Sequence, residues 1–342
     1  WETTRRLSAG LDMLAFDDRL SLSLTGFKSF TSNLLTLKSL PEVSGEGSYW
    51  SNGGSLENIG ADLRASVKIL STRDWSWEAG LSAATYRNVI TALPDGDFTT
   101  TIYDGEVLTS VGRPAGVFYG YQTAGVYATT AQAEADGLYN TLSTGARRYF
   151  GAGDVIFVNQ NPTEGGAIDE ADKVVIGDPN PDLYGNIFTT VGYRRFSLHA
   201  DFGYSWGNDV YNYLRRQLES GSNFFNQTTA LNRRWVVEGQ QTDIPRATFG
   251  DPMGNARFSD RWIEDGSYLR LRQLTLSYRL PVNSMWMQGL TVWVTGNNLF
   301  TLTRYLGADP ETSLGNGVLW QGIDNGLLAR GRSFVAGVKL NL

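Results

Sequence analysis

The chain has 342 residues, of which 41% are hydrophobic, 12% aromatic and 19% charged, with a net charge of −6, one His and no Cys. Apolar content this high can bury a large surface, which excludes disorder. The absence of Cys excludes a disulfide scaffold or a thiolate metal site, the single His199 excludes a His-cluster zinc centre, and the negative charge argues against nucleic acid.

Helical periodicity is nearly absent, and period-2 alternation takes its place. Over 6–16, Leu7, Ala9, Leu11 and Met13 alternate with Arg6, Ser8, Gly10 and Asp12. Over 60–70, Ala61, Leu63, Ala65, Val67 and Ile69 alternate with Asp62, Arg64, Ser66 and Lys68. Over 74–84 the apolar set is Trp75, Trp77, Ala79, Leu81 and Ala83, and over 197–206 it is Leu198, Ala200, Phe202, Tyr204 and Trp206. In 268–280 the phase slips: Leu269 and Leu271 are odd, whereas Leu274, Leu276, Tyr278 and Leu280 are even. Either a bulge sits near Arg272–Gln273 or the upper part stands above the lipid. The last segment alternates Phe334, Ala336, Val338, Leu340 and Leu342 with Val335, Gly337, Lys339 and Asn341. Strands are predicted near 3–14, 18–36, 57–71, 74–91, 183–193, 196–211, 266–281, 289–304 and 331–342, about nine in all.

Two architectures fit such strands. A soluble sandwich buries its apolar face; a transmembrane barrel turns it to lipid and keeps a polar lumen. Sandwich strands average about 5–6 residues, and these run past the roughly 9–11 that cross a bilayer. Trp75, Trp77, Tyr204, Trp206, Trp286 and Tyr305 would sit in the interfacial aromatic girdles; the competing reading places such aromatics in a core. Connections alternate short (near Phe16–Arg19, Thr72–Asp74, Tyr193–Phe196 and Pro281–Gln288) and long (near 38–56, 92–182, 212–265 and 306–331). Outer-membrane barrels have short periplasmic turns and long extracellular loops, and two such long links would be odd in a compact soluble domain. No apolar run reaches the ~18 residues of a spanning helix, and the opening WETTRRLS does not read as a signal peptide. The predicted fold is therefore all-β: a transmembrane antiparallel β-barrel. An odd, open set of strands cannot close, so the expectation is a C-terminal part whose N-terminal partner lies elsewhere.

Several stretches then carry a resemblance: WETT (1–4), SNGGSLENIGADL (51–63), GRPAGVFYGYQTAGVY (112–127), VVIGDPNPDLYGNIFTTVGYRRFSL (174–198), YSWGNDVYN (204–212), RWIEDGSYLRLRQLTLSYRLP (261–281) and TGNNLFTLTRYLGADPE (295–311). In this order, with the C-terminal strand, the chain resembles the C-terminal portion of SusC/RagA-type TonB-dependent transporters of Bacteroidetes. The resemblance implies a 22-stranded outer-membrane barrel, an N-terminal plug, a SusD-like lipoprotein lid, and import of oligosaccharides or peptides energised by TonB-ExbB-ExbD. It implies that residues 1–342 are barrel domain alone, with long extracellular loops near 92–182 and 212–265. The plug and TonB box are absent from this chain, so its partners would be the N-terminal half of the barrel with its plug, the lid and outer-membrane lipid.

Catalytic signals are weak. Gly203-Tyr-Ser-Trp-Gly207 matches G-x-S-x-G, but it lies inside a strand and the only His precedes it, whereas a nucleophile elbow needs a strand-turn-helix and a later His; no enzyme activity is expected. His199 shares the phase of Asp201 and would face the lumen as a hydrogen-bonding residue. Asn159–Asp172 sits where family members carry an EF-hand-like loop, but the leading D-x-N-x-D-G is lost. Asp169 and Asp172 remain as candidate calcium ligands, against a solvated acidic loop; no cofactor is expected. Tyr119, Tyr121, Tyr127, Phe224 and Phe225 are the candidate substrate or lid contacts, because aromatics grip sugar faces or proteins with little entropy loss; Tyr49, Trp50 and Trp320 join them, and packing between loops is the alternative. Asp309, Pro310 and Glu311 match the family's D-P-E and would shape a turn. Asp12, Asp62, Arg64, Lys68, Arg270 and Arg272 read as a wet polar wall. Two further functions compete with import: a non-transporting barrel acting as a platform for surface lipoproteins or secretion machinery, and a soluble carbohydrate-binding β-protein.

Overall fold

The computed structural model describes residues 1–39, 43, 45, 48–162, 165–281, 289–315 and 317–341, the side chains of 38, 39, 48 and 341 excepted. Nine strands form one continuous antiparallel sheet: β1 (Thr3–Ala15), β2 (Leu20–Ser32), β3 (Ser55–Ser71), β4 (Trp75–Ala92), β5 (Leu183–Tyr193), β6 (Phe196–Trp206), β7 (Tyr268–Leu280), β8 (Gly289–Thr303) and β9 (Ser333–Asn341). Their order in the sheet is their order in the chain. This is an up-and-down meander, the topology of an outer-membrane barrel wall. No helix among the described residues is long and apolar enough to cross a membrane.

Alternation builds two chemically distinct faces because successive side chains point to opposite sides. Register aligns the apolar positions across the sheet: Trp77 opposes Val191, Val191 opposes Leu198, Leu198 opposes Leu276, and Leu276 opposes Val294. A second apolar row joins Leu11, Leu24, Leu63 and Ala83. Polar partners meet on the other face: the Thr190 hydroxyl lies 2.8 Å from His199 Nδ1, and Thr275 lies 2.7 Å from Thr295. The apolar rows stay open to the surroundings, with Leu198, Leu276 and Val294 all exposed. That is the arrangement lipid would cover.

The turns are short at one end. Phe16, Asp17 and Asp18 carry positive φ in the β1–β2 turn, Thr72 caps the β3–β4 turn through Trp75, and Arg194 has φ 53 in the two-residue β5–β6 turn. Of the predicted fourth short link only Pro281 is described; Trp286 lies outside the described residues.

The phase slip in β7 is a bulge. Leu271 pairs with Phe202 and Gln273 with Asp201, which leaves Arg272 as the extra residue. Gln273 and Thr275 thereby join the polar face although Arg270 is even-numbered.

Two predicted strands are shorter than expected. The 18–36 segment ends at Ser32, since Asn33 turns with φ 56, and Leu35–Ser39 forms a separate hairpin with Ser48–Asn52. The 196–211 segment ends at Trp206, since Gly207 has φ 83, and Asp209–Asn212 joins another sheet. Trp75, Trp77 and Trp206 are exposed at strand ends, but Tyr305 is not a girdle residue: it is buried, and its hydroxyl donates to Asp324 at 2.7 Å. Tyr204 instead lies half-buried and donates to the Ser82 carbonyl at 3.0 Å.

The core sits in the long connections, not in the wall. Residues 93–182 carry a four-stranded sheet (Lys173–Gly177, Val117–Tyr121, Gly105–Thr109, Phe98–Ile102), two small two-stranded sheets and helix α1 (Thr130–Asp136). In 207–267, helix α2 (Tyr213–Glu219) follows Asp209–Asn212, which pairs with Ile263–Asp265 and with Ile323–Asp324 of the last connection.

Candidate functional site

Three connections fuse into one cap above the wall. One buried cluster joins Ile102, Val107 and Phe118 of the first with Tyr211, Phe258 and Trp262 of the second and Ile323 of the third. Another gathers Tyr121, Tyr127, Phe150, Val155, Phe157 and Ile168 with Met253. Burying aromatic surface between connections makes up for what a two-faced membrane wall cannot bury.

Polar clasps fix the seam. Asp154, with no exposed surface, takes both Nε (2.9 Å) and Nη2 (2.8 Å) of Arg246, together with the Asn255 amide (2.9 Å) and the Gly151 N–H (2.9 Å). Lys173 reaches Glu106 at 2.5 Å and Glu170 at 2.6 Å; burial works against its charge, but these carboxylates prevail and its pKa is raised. Burial, with Arg215 nearby, pushes the Arg261 guanidinium down to about 10, and its donors go to the carbonyls of Asn255 and Asp243.

At the mouth of the wall the turn Asp309–Glu311 is tied to β7. Arg270 is buried and bonds Asp309, Glu311 Oε2 (3.1 Å) and Thr301 (3.0 Å). Glu311 also meets Arg272 and Arg330, each at 3.2 Å. Burial opposes ionisation of Asp309, but the Arg270 bond and the N–H groups of Glu311 and Arg330 outweigh it and hold its carboxyl below the usual range. Tyr305 shifts the opposite way, its phenol raised by burial and by the bond to Asp324. Beneath this turn the polar face holds a cavity of about 460 Å³ lined by Asp62, Arg64, Asn186, Tyr268, Arg272 and Glu311 among others.

The expected contact residues separate into two environments. Tyr121 and Tyr127 are 7% and 0% exposed, packed inside the loop cluster with Phe157; Tyr119 is half-buried. Phe224 and Phe225 stand 89% and 80% exposed, with Phe224 stacked on Phe249 at 4.9 Å. Val236 and Val237 are also exposed on this connection. The structure packs Tyr121 and Tyr127 into one cluster, leaves Tyr119 half-buried outside it, and exposes Phe224 and Phe225.

The carboxylates of Asp169 and Asp172 serve the backbone. Asp169 accepts from Ala171 N (2.9 Å), and Asp172 accepts from Gln160 N (2.8 Å) and Asp169 N (2.8 Å), closing a capping box. Among the described residues no group of three or more His, Asp or Glu side chains is placed to hold a metal. Ser205 of the G-x-S-x-G match donates to Asn208 at 2.7 Å, whereas His199 is engaged with Thr190. Gly203 is bare because the Arg272 guanidinium lies against it. Sequence reasoning left the Asp154–Arg246 clasp unread, since nothing local joins residues 92 apart.

A meander of long alternating strands with short turns below and a fused cap above is part of the wall of an outer-membrane-type β-barrel. No protein-family model matches the chain. The TonB-dependent receptor P3 of Formosa agariphila is 32% identical across 99% of this chain, and the TonB-dependent receptor SusC of Bacteroides thetaiotaomicron is 25% identical across 99%. The solved RagAB peptide importer, in its closed-closed state, superposes with a TM-score of 0.76 over 99% of the chain at 23% identity, a likeness of fold. The chain spans about a third of the length of these relatives, 34% of the first. Over that third of their length the chain is homologous to TonB-dependent receptors of the SusC/RagA type.

Proposed function

We propose that this chain forms barrel wall and extracellular cap for a SusC-like outer-membrane importer of oligosaccharides or peptides, completed by an N-terminal barrel half with a plug. A SusD-like lipoprotein would close over the cap, and TonB-ExbB-ExbD would act through the plug. The observation that supports this reading is the pairing of an apolar-out, polar-in wall with a packed cap that leaves Phe224 and Phe225 almost wholly exposed. A wall alone needs no such display, because exposed aromatics of this size are otherwise a liability. Phe224, Phe225 and Tyr119 are the contacts with lid or cargo, and Tyr121 and Tyr127 hold the loop that carries Tyr119. A photo-reactive residue at Phe225 in the whole receptor should capture a second polypeptide, and loss of the receptor should abolish growth on its oligosaccharide or peptide. Capture with unaltered uptake would favour a platform for surface lipoproteins. Capture only of the receptor itself would remove the interface.

A further inference from the structure

Resting on the reading of the polar face as an importer's lumen, we propose that Arg272 and Arg64 form a carboxylate-reading subsite in the wall cavity, with Glu311 holding Arg272 until a cargo carboxylate displaces it. Adjacent arginines on β7 are treated very differently. Arg270 is 3% exposed and saturated by two carboxylates and a hydroxyl. The Arg272 side chain keeps 34% of its surface open, and its bonds are all long: Asn186 Oδ1 at 3.3 Å, the Tyr268 hydroxyl at 3.4 Å and Glu311 Oε1 at 3.2 Å. Its Nε is buried against Gly203 without a partner, so the open edge is that of the two terminal nitrogens.

Arg272 follows Arg270 onto the polar face by alternation, and the bulge there frees it from pairing with β6. Gly203 on β6 clears the space its guanidinium occupies. Arg64 lines the same cavity, and its guanidinium makes no hydrogen bond or ion pair among the described residues. The carboxylate of Asp62, two positions before it on the same face, accepts no hydrogen bond among them either. The cavity volume of about 460 Å³ lies within the usual range for small-ligand sites.

Guanidinium groups read carboxylates through paired N–H donors. Exchange at Arg272 is chemically feasible because Glu311, once displaced, keeps Arg270 and Arg330 and is never stranded. Asp62 beside Arg64 suits a ligand whose carboxylate has a hydroxyl or amide N–H donor close by. An acidic sugar and a peptide terminus both offer that chemistry.

The purified whole receptor is titrated calorimetrically with two probe pairs: trigalacturonate against its methyl ester, and trialanine against its C-terminal amide. In at least one pair the acid should bind about tenfold more tightly than its neutral analogue, and the pair that shows it identifies the source of the carboxylate. Arg272→Gln or Arg64→Gln should erase the preference, and Glu311→Gln should strengthen binding of the acid. Equal binding within both pairs overturns the proposal, as does a preference that survives Arg272→Gln. If Arg272→Gln fails to give a heat-modifiable barrel, unchanged affinity in Glu311→Gln overturns it instead. The titration needs neither lid nor TonB, so its failure leaves the uptake reading standing, and a failure of uptake leaves the titration interpretable.

Discussion

The guanidinium of Arg272 rests on the bare backbone of Gly203, across the one irregularity in the β6–β7 register. A Cβ at Gly203 would collide with Nε, Cζ and Cδ of that side chain. Gly203→Ala should therefore push this side chain aside at a cost of no more than about 1 kcal/mol, because the far end of a loosely held arginine can give way. Truncating Arg272 as well should recover part of it, because the two changes share a contact. A double-mutant cycle on urea unfolding of the whole receptor reads this. Additive costs would show that the side chain and the glycine do not meet.

The apolar rows set a second expectation. Ile187 lies midway along β5, pairs with Leu81 and Phe202, and is exposed. Ile187→Arg should cost about 2–4 kcal/mol if this face meets the bilayer midplane. Leu198→Arg, near the β5–β6 turn, should cost less, and Ser197→Arg, on the polar face, least. A folding assay in lipid that finds all three equally tolerated would contradict the orientation of the wall.

The mouth turn carries a pH dependence. Asp309 has its pKa lowered in the folded protein, so its contribution is complete above the unfolded value of about 4 and is lost as pH falls through the folded value. Acidification from pH 5 toward about pH 3 should release the 306–331 connection, and Asp309→Asn should already show the released state at neutral pH. Hydrogen exchange at Glu311 and Arg330, whose N–H groups bond Asp309 at 2.9 and 3.2 Å, reports it. Protection unchanged at pH 3 would remove Asp309 from this role.

The wall was legible in the sequence because its signal is local. Period-2 alternation and turn length are set by neighbours, so β1, β4, β5 and β8 match their expected bounds within a residue or two. Where one residue reverses the chain, as at Asn33 or Gly207, alternation continued on paper and the strand did not. The cap was not legible in detail. Tyr305 and Trp75 are both aromatics near strand ends, yet one is buried with its hydroxyl on Asp324 and the other stays exposed. Tyr127 and Phe225 likewise share a composition-level description, and long-range packing separates them.

The cap's clasp supports the last expectation. Asp154 has no exposed surface, and Arg246 supplies its only counter-charge within ion-pair distance among the described residues. Removing that partner leaves a buried carboxylate uncompensated, at a cost of about 3–5 kcal/mol. Arg246→Met should therefore loosen the seam between the 93–182 and 207–267 connections. The wall should stay intact, since the nine-strand ladder makes none of these bonds. Hydrogen exchange should rise at Val155, whose N–H bonds Asn255, and at Tyr127, whose N–H bonds Asp154, while β5 and β6 keep their protection. Asp154→Asn combined with Arg246→Met removes both charges and should cost less than Arg246→Met alone. If Phe224 and Phe225 are presented by a rigid cap, capture of a partner from Phe225 should fall in Arg246→Met and return in the double variant. Undiminished capture from the loosened cap would mean that the partner recognises the phenylalanine tip without needing the seam.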